Sequence, residues 1–273
     1  MSSKFKILQR WTSAFVGIVV AAMMIGPSIS SAQTVDEIKG KGKLVVGTLV
    51  DFPPFGMLDK DNKPTGYDPA LAQMIADKMG VELELVPVIG ANRVPYLLTK
   101  KVDLLIAALG MTPERAKQVD FSEPSAVVEQ VIYARKDMNL KSAEDLKGVR
   151  VGVSRGSAED VQVTKVAPEG TVIQRFEDVP TVMQALLSGQ VDAIAMSTLI
   201  IAETAKVTDA SSFEIKFPVM RLIHGIATRK EQTELMNWIN DFLAEAKKSG
   251  ELNELHKKWV GVDYVDVEKP NLQ

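Results

Sequence analysis

The chain has 273 residues, a formal net charge of −3 at neutral pH and no cysteine. Without cysteine there is no disulfide framework, so the fold must rest on its core. The mildly acidic balance argues against nucleic acid as a partner, which wants a basic face. It leaves ligand charge open, because the field inside a site can oppose the net charge.

Residues 1–32 read as a secretory signal peptide. Lys4, Lys6 and Arg10 form a positive start without acids, residues 14–25 are apolar, and Ser30, Ser31 and Ala32 supply small residues before a cut at Gln33. The apolar stretch is too short and wrongly flanked for a membrane span, and no later segment is long and apolar enough to be one. Loss of the three positive charges leaves about 241 residues and a charge of about −6. With no cysteine at the cut, a lipid anchor is not expected. The expected product is soluble in the periplasm of a double-membraned bacterium.

Strand and helix signals then alternate, which is the α/β pattern. Residues 44–48 read as a first strand. Asp68 reads as the cap of a helix with Pro69 at its first position, Leu71, Met74, Ile75 and Met79 as its apolar residues, and Gly80 as its stop. Residues 83–86 and 104–107 read as further strands, the second apolar enough to be buried on both faces. Residues 127–134, long and β-branched, suit a strand that leaves one lobe for another. A second series starts at 149–153. Ser157 and Asp160 open a helix, 172–176 is a strand, 180–187 a helix stopped by Gly189, and 193–196 a strand. Residues 219–227 are again extended. Leu235, Trp238, Ile239, Phe242, Leu243 and Ala246 share one face of a last long helix ending at Gly250. The outcome is two α/β lobes joined by two crossovers, with the C-terminal helices returning to the first lobe.

The richest stretch for chemistry is residues 101–124. After the apolar strand and a loop over 108–111, Thr112 reads as a helix N-cap with Pro113 at the first helical position and Arg115 in the first turn. An arginine there, beside loop amides, can grip a carboxylate bidentately; the plainer alternative is a solvated side chain paired with a nearby acid. Metal chemistry finds little support, since His224 and His256 are the only histidines and no cysteine helps them. His256, in the charged run ELHKKW, reads as solvated; His224, beside Gly225 in the second crossover, either faces a cleft or packs in the core. Gly40-Lys41-Gly42-Lys43 lacks the strand and loop length of a phosphate loop, and residues 152–157 lack its lysine. No cofactor is implied.

Lys101, Asp103, Thr112, Pro113, Glu114, Arg115, Asp120, Phe121, Ser122 and Pro124 stand in an order that resembles the signature of bacterial extracellular solute-binding proteins, family 3. The resemblance extends to GKLVVGT from Gly42, DFPPF from Asp51, GYDPALAQMIADKMG from Gly66, the Gly156-Ser157 turn, SGQVDAI from Ser188 and KKWVG from Lys257. It implies a two-lobe, hinge-closing periplasmic binding protein fold of type II, with the ligand in the interlobe cleft. The expected boundaries are 33–127 with 226–273 for lobe one, 134–218 for lobe two, and 128–133 and 219–225 for the hinge crossovers.

The resemblance also implies an amino acid or similar small carboxylate as ligand. Arg115 and the Gly-Ser turn, here Ser157, would meet its carboxylate, with the helix after Ser157 pointing amides into the same space. Phe52 would cover the side chain while Phe55 stays in the core. Arg93 would reach the ligand side chain, or else be a surface arginine. Ala108, Gly110, Ser154 and Ser197 complete the expected ligand-binding set. Several positions depart from the family pattern. Gly110 replaces a serine or threonine, Ser197 an aspartate that pairs the ligand ammonium, Leu49 an acid used for basic side chains, and Val179 a tyrosine that helps some binders of acidic ligands. A buried ammonium without a carboxylate is costly, so either another acid serves, with Glu129 the nearest by sequence, or the ligand lacks an α-amine. The resemblance further implies delivery to an ABC importer permease in the inner membrane, a monomer and no catalysis. The rival is a cyclohexadienyl dehydratase-like enzyme on the same scaffold, with Glu129 or Glu159 as proton donor.

Overall fold

The computed structural model describes residues 34–272. The signal peptide expected over 1–32 lies outside the described residues. The first helix, α1 (Val35–Lys41), begins where the Thr34 hydroxyl accepts the Glu37 amide at 3.2 Å, and ends at Gly42 in the left-handed region. Strand β1 (Lys43–Leu49) follows, then a small three-stranded sheet of β2 (Asp51–Phe52), β3 (Gly56–Leu58) and β4 (Pro64–Thr65).

Helix α2 (Tyr67–Met79) starts two residues earlier than its cap signal suggests, with Gly66 at the cap and no side-chain cap bond. Asp68 is therefore not the cap. It sits in the first turn, 4% exposed, and its Oδ2 accepts the Ala108 amide at 2.6 Å. A tertiary partner forty residues away outbid the local one. Strand β5 (Glu82–Val88), helix α3 (Arg93–Leu98) and the short strand β6 (Leu104–Leu105) complete the first series. Helix α4 (Pro113–Ala116) has Thr112 as its cap, accepting the Arg115 amide at 3.3 Å.

Strand β7 (Val119–Arg135) is twice as long as the apolar pattern suggests. The second series contains β8 (Arg150–Ser154), α5 (Ala158–Val166), β9 (Val172–Phe176), α6 (Val179–Leu187), β10 (Ala193–Ser197) and α7 (Thr198–Ala205). It closes with β11 (Phe213–Arg229), which pairs antiparallel with β7 along nearly the whole of both strands. The large sheet runs β5-β1-β6-β11-β7-β10-β8-β9. The β7–β11 ribbon thus forms its middle. The end of β11 pairs with β6 at Ala227, and the end of β7 pairs with β10 over Gln130–Ala134. Register shifts interrupt the ribbon on either side of Gly225, the irregularity that re-aims side chains next to a site.

Helix α8 (Thr233–Ser249) buries Leu235, Ile239, Phe242, Leu243 and Ala246 and packs on β7, while α9 (Glu251–Val260) packs on α2. Each buried Leu, Ile or Phe is worth about 1.5–3 kcal/mol relative to exposure, which anchors the C-terminal pair to the first series. His256 is not solvated. It is 4% exposed, with Nδ1 2.8 Å from the Val262 carbonyl and its ring edge-on to Tyr67 and Tyr264. Among the described residues no helix is long and apolar enough to cross a membrane.

Candidate functional site

One cavity gathers side chains from the first series, the second series and the central ribbon. Phe52, Arg93, Ala108, Arg115, Ser154 and Ser157 line it, with Asp51, Gln130, Glu159, Leu222 and His224 beside them. Gly110 and Ser197 are not among its lining residues.

Arg93 is the hub. It is 5% exposed, and so no surface arginine; Nε donates to the Gly90 carbonyl and Nη1 to those of Ala107 and Ala108, at 3.0–3.3 Å. Ala108 holds a left-handed φ of 44°, and this turns its amide to Asp68 and its carbonyl to Arg93. Burial pushes the Asp68 carboxyl up to about 7, against the pull of the Ala108 amide and Arg93. Asp51 and Glu159 are likewise raised above the ordinary carboxylate range, chiefly by burial, with Arg93 pulling both down.

Arg115 comes from the first turn of α4 and spans to the second series. Nη1 donates to the Gly110 carbonyl at 2.8 Å and Nη2 to the Gly156 carbonyl at 3.0 Å. Burial, then the neighbouring Arg93, lowers it to about 9, so it stays cationic at neutral pH. Gly156 takes φ of +70°, a conformation only glycine adopts freely, and its amide reaches Asp160. Ser157 caps α5 by accepting the Asp160 amide at 3.1 Å, and the first residues of that helix, its positive end, line the same cavity. Glu159, in its first turn, is enclosed near both arginines.

The departures acquire physical reasons. A Cβ on Gly110 would lie 2.4 Å from a Leu222 methyl, so a serine or threonine does not fit while Leu222 lines the cavity. Gly110 acts through its backbone, accepting from Arg115 and bridging to His224. Ser197 is fully buried and caps α7, accepting the Leu199 amide at 3.2 Å. Glu129 is exposed and lines a different groove with Arg221 and His256. Neighbours in a strand point to opposite faces, so its successor Gln130 is the residue aimed at the cavity.

Phe52 lines the cavity and Phe55 is wholly buried, between Tyr67 at 5.4 Å and His224 at 5.1 Å between ring centroids. His224 is 2% exposed, with neither ring nitrogen partnered; burial and the two guanidiniums push it down to about 3, so it is neutral. Asp51 and Gln130 were not visible as site residues in the sequence. The only signal for Gln130 is the period of β7; for Asp51 it is adjacency to Phe52. No cluster of three or more His, Cys, Asp or Glu side chains among the described residues could hold a metal.

A cleft floored by two long antiparallel strands and lined by two arginines is the arrangement of a two-lobe solute receptor. The profile of bacterial extracellular solute-binding proteins, family 3, matches residues 44–262, and the chain belongs to that family. It is 30% identical over 263 residues to the L-cystine-binding protein TcyJ of Escherichia coli K12, covering 94% of this chain and 98% of that one. A variant of ArgBP from T. maritima superposes with a TM-score of 0.77 at 38% identity, over 84% of this chain and 100% of that one. An ancestral amino acid-binding protein, described as a precursor of cyclohexadienyl dehydratase, gives 0.74 at 35% identity, over 82% and 98%. The fold is the type II periplasmic binding protein fold.

Proposed function

We propose that the protein captures an amino acid in the periplasm and delivers it to an ABC importer in the inner membrane. The observation that carries this reading is a buried Arg93 and a half-buried Arg115 lining one cavity with the α5 N-terminus, Ser154 and Ser157. Such an array is built for a carboxylate. Phe52, Arg93, Ala108, Arg115, Ser154 and Ser157 form the ligand surface; Gly110 holds Arg115, and Ser197 holds the α7 end of β10. Residues 33–127 with 226–273 form lobe one, 134–218 lobe two, and 128–133 and 219–225 the hinges, and the receptor works as a monomer. Relatives named for cystine and solved with arginine bound support the amino-acid class.

Calorimetry of the purified protein against the twenty amino acids and L-cystine tests the reading, beside mass spectrometry of any small molecule carried through native purification. Binding of at least one of them, with Arg115→Ala weakening it by about 2–5 kcal/mol, is the expected result. Unchanged affinity in that variant would refute the carboxylate grip.

A second reading is favoured by Glu159, a buried carboxyl raised by desolvation and facing two arginines. That is the character of a general acid. Turnover of prephenate or arogenate, lost in Glu159→Gln, would establish an enzyme instead; absence of turnover beside tight amino-acid binding supports the receptor.

A further inference from the structure

Two arginines answer a ligand carboxylate, but an amino acid also brings an ammonium, and the serine at 197 offers it no charge. The hydroxyl of Ser197 is turned to the Leu199 amide. Asp51 behaves differently. Its Oδ2 accepts the Val179 amide at 3.3 Å, from the first residue of α6, while its Oδ1 is buried without a partner. Gln130 and His224 line the same cavity at 0% and 2% exposure, and none of their four side-chain polar atoms has a partner.

Unpartnered buried polar atoms are expensive, and here they converge on one space. An ammonium carries three donors and no acceptor. The cavity presents the Asp51 Oδ1, the Gln130 Oε1 and the one lone-pair nitrogen of a neutral His224. The other acid lining the cavity, Glu159, already feels the charges of Arg93 and Arg115. Outside the lining, Asp68 takes the Ala108 amide and Asp160 pairs with Arg175. We propose that Asp51 holds the ligand's α-ammonium, with Gln130 and His224 completing its hydrogen bonds, in place of an aspartate at position 197. The inference rests on the amino-acid reading above and adds the anchor for the amine.

The test measures one bound amino acid, chosen from the twenty plus L-cystine by wild-type calorimetry, against its deaminated analogue. Titrations use the wild type, Asp51→Asn and Glu159→Gln. Wild type should prefer the amino acid by about 30-fold or more, the scale of a buried charge pair. Asp51→Asn should erase that preference while leaving the analogue's affinity within a few fold, and Glu159→Gln should keep it. Asparagine retains an oxygen for the Val179 amide, so the ligand-free variant should melt no lower than wild type. If it does unfold, Gln130→Met and His224→Leu carry the test, each weakening the amino acid several-fold more than the analogue. A preference that survives Asp51→Asn, or one that Glu159→Gln removes, overturns the inference and leaves the amino-acid reading standing. Wild type that binds the analogue as well as the amino acid also overturns it. If no amino acid binds wild type, the reading of function falls first and the inference with it.

Discussion

His256 and His224 are both buried, in two regions that treat an imidazole in opposite ways. Between α2 and the C-terminal segment, His256 has a carbonyl partner at 2.8 Å and two tyrosine rings edge-on to it. In the cleft, His224 has an aromatic neighbour in Phe55 but no partner for either nitrogen. Among the described residues seven buried side-chain polar atoms lack partners, and five of them belong to Asp51, Gln130 and His224. Unpartnered polar atoms thus concentrate in the cavity, and the two outside it belong to Thr228 and Trp259. A ligand that pairs those in the cavity would recover what folding leaves unmade and so stabilise the folded protein.

The largest effect expected from disturbing this contrast belongs to Arg93. It is the one cation that Asp51, Asp68 and Glu159 share. Arg93→Ala leaves the buried Asp68 and Glu159 and the half-buried Asp51 short of a counter-charge, and the Gly90, Ala107 and Ala108 carbonyls without their donor. The expected loss is about 3–5 kcal/mol of unfolding free energy at neutral pH, read by urea denaturation. The loss should shrink at pH 5, where the acids protonate more readily. A variant as stable as wild type would show that the acids do not depend on this guanidinium.

Much of the frame was legible because its signals are local. Strand β9 has the bounds its β-branched run suggests, and Thr112, Pro113 and Arg115 open α4 as their order implies. What escaped was decided by distant partners. Asp68 looks like a helix cap because proline follows it, yet it bonds a loop amide that only the folded chain brings near. His256 sits in a charged run, but Tyr67 and Tyr264 close over it. Glu129 missed the cleft by one residue, since the strand's period settles which neighbour faces inward. The first half of β7 reads as motif and loop because Pro124 and the polar residues around it mask a strand held by pairing with β11.

Asp68 sharpens the contrast as a buried acid outside the cavity lining that does have a partner. Its folded pKa, about 7, stands above the unfolded value near 3.8, so the folded state holds the proton longer. Its contribution is therefore favourable below about pH 4 and is lost as pH rises to about 7. Asp68→Asn should remove that dependence. The variant should gain on wild type by up to ~4 kcal/mol between pH 4 and pH 7, before any loss from a weaker bond to the Ala108 amide. A stability difference that does not change with pH would mean the carboxyl is ionised throughout.

The smallest effects come from the two histidines themselves, and there the contrast predicts opposite signs. His256→Leu strips the Val262 carbonyl of its partner and should cost about 1–3 kcal/mol in ligand-free protein at pH 7. His224→Leu removes two unpartnered nitrogens and sets an apolar group against Phe55, so the ligand-free protein should hold its stability or gain about 1 kcal/mol. Acid adds a second sign. A histidine lowered to about 3 in the fold costs stability as pH falls from about 6.5 toward 3, so the gain from His224→Leu should widen at pH 5. Ligand affinity completes the contrast, falling in His224→Leu and holding in His256→Leu. Equal destabilisation by both leucines would mean that His224 is already satisfied by buried water, and the cleft would then differ from the core in shape alone.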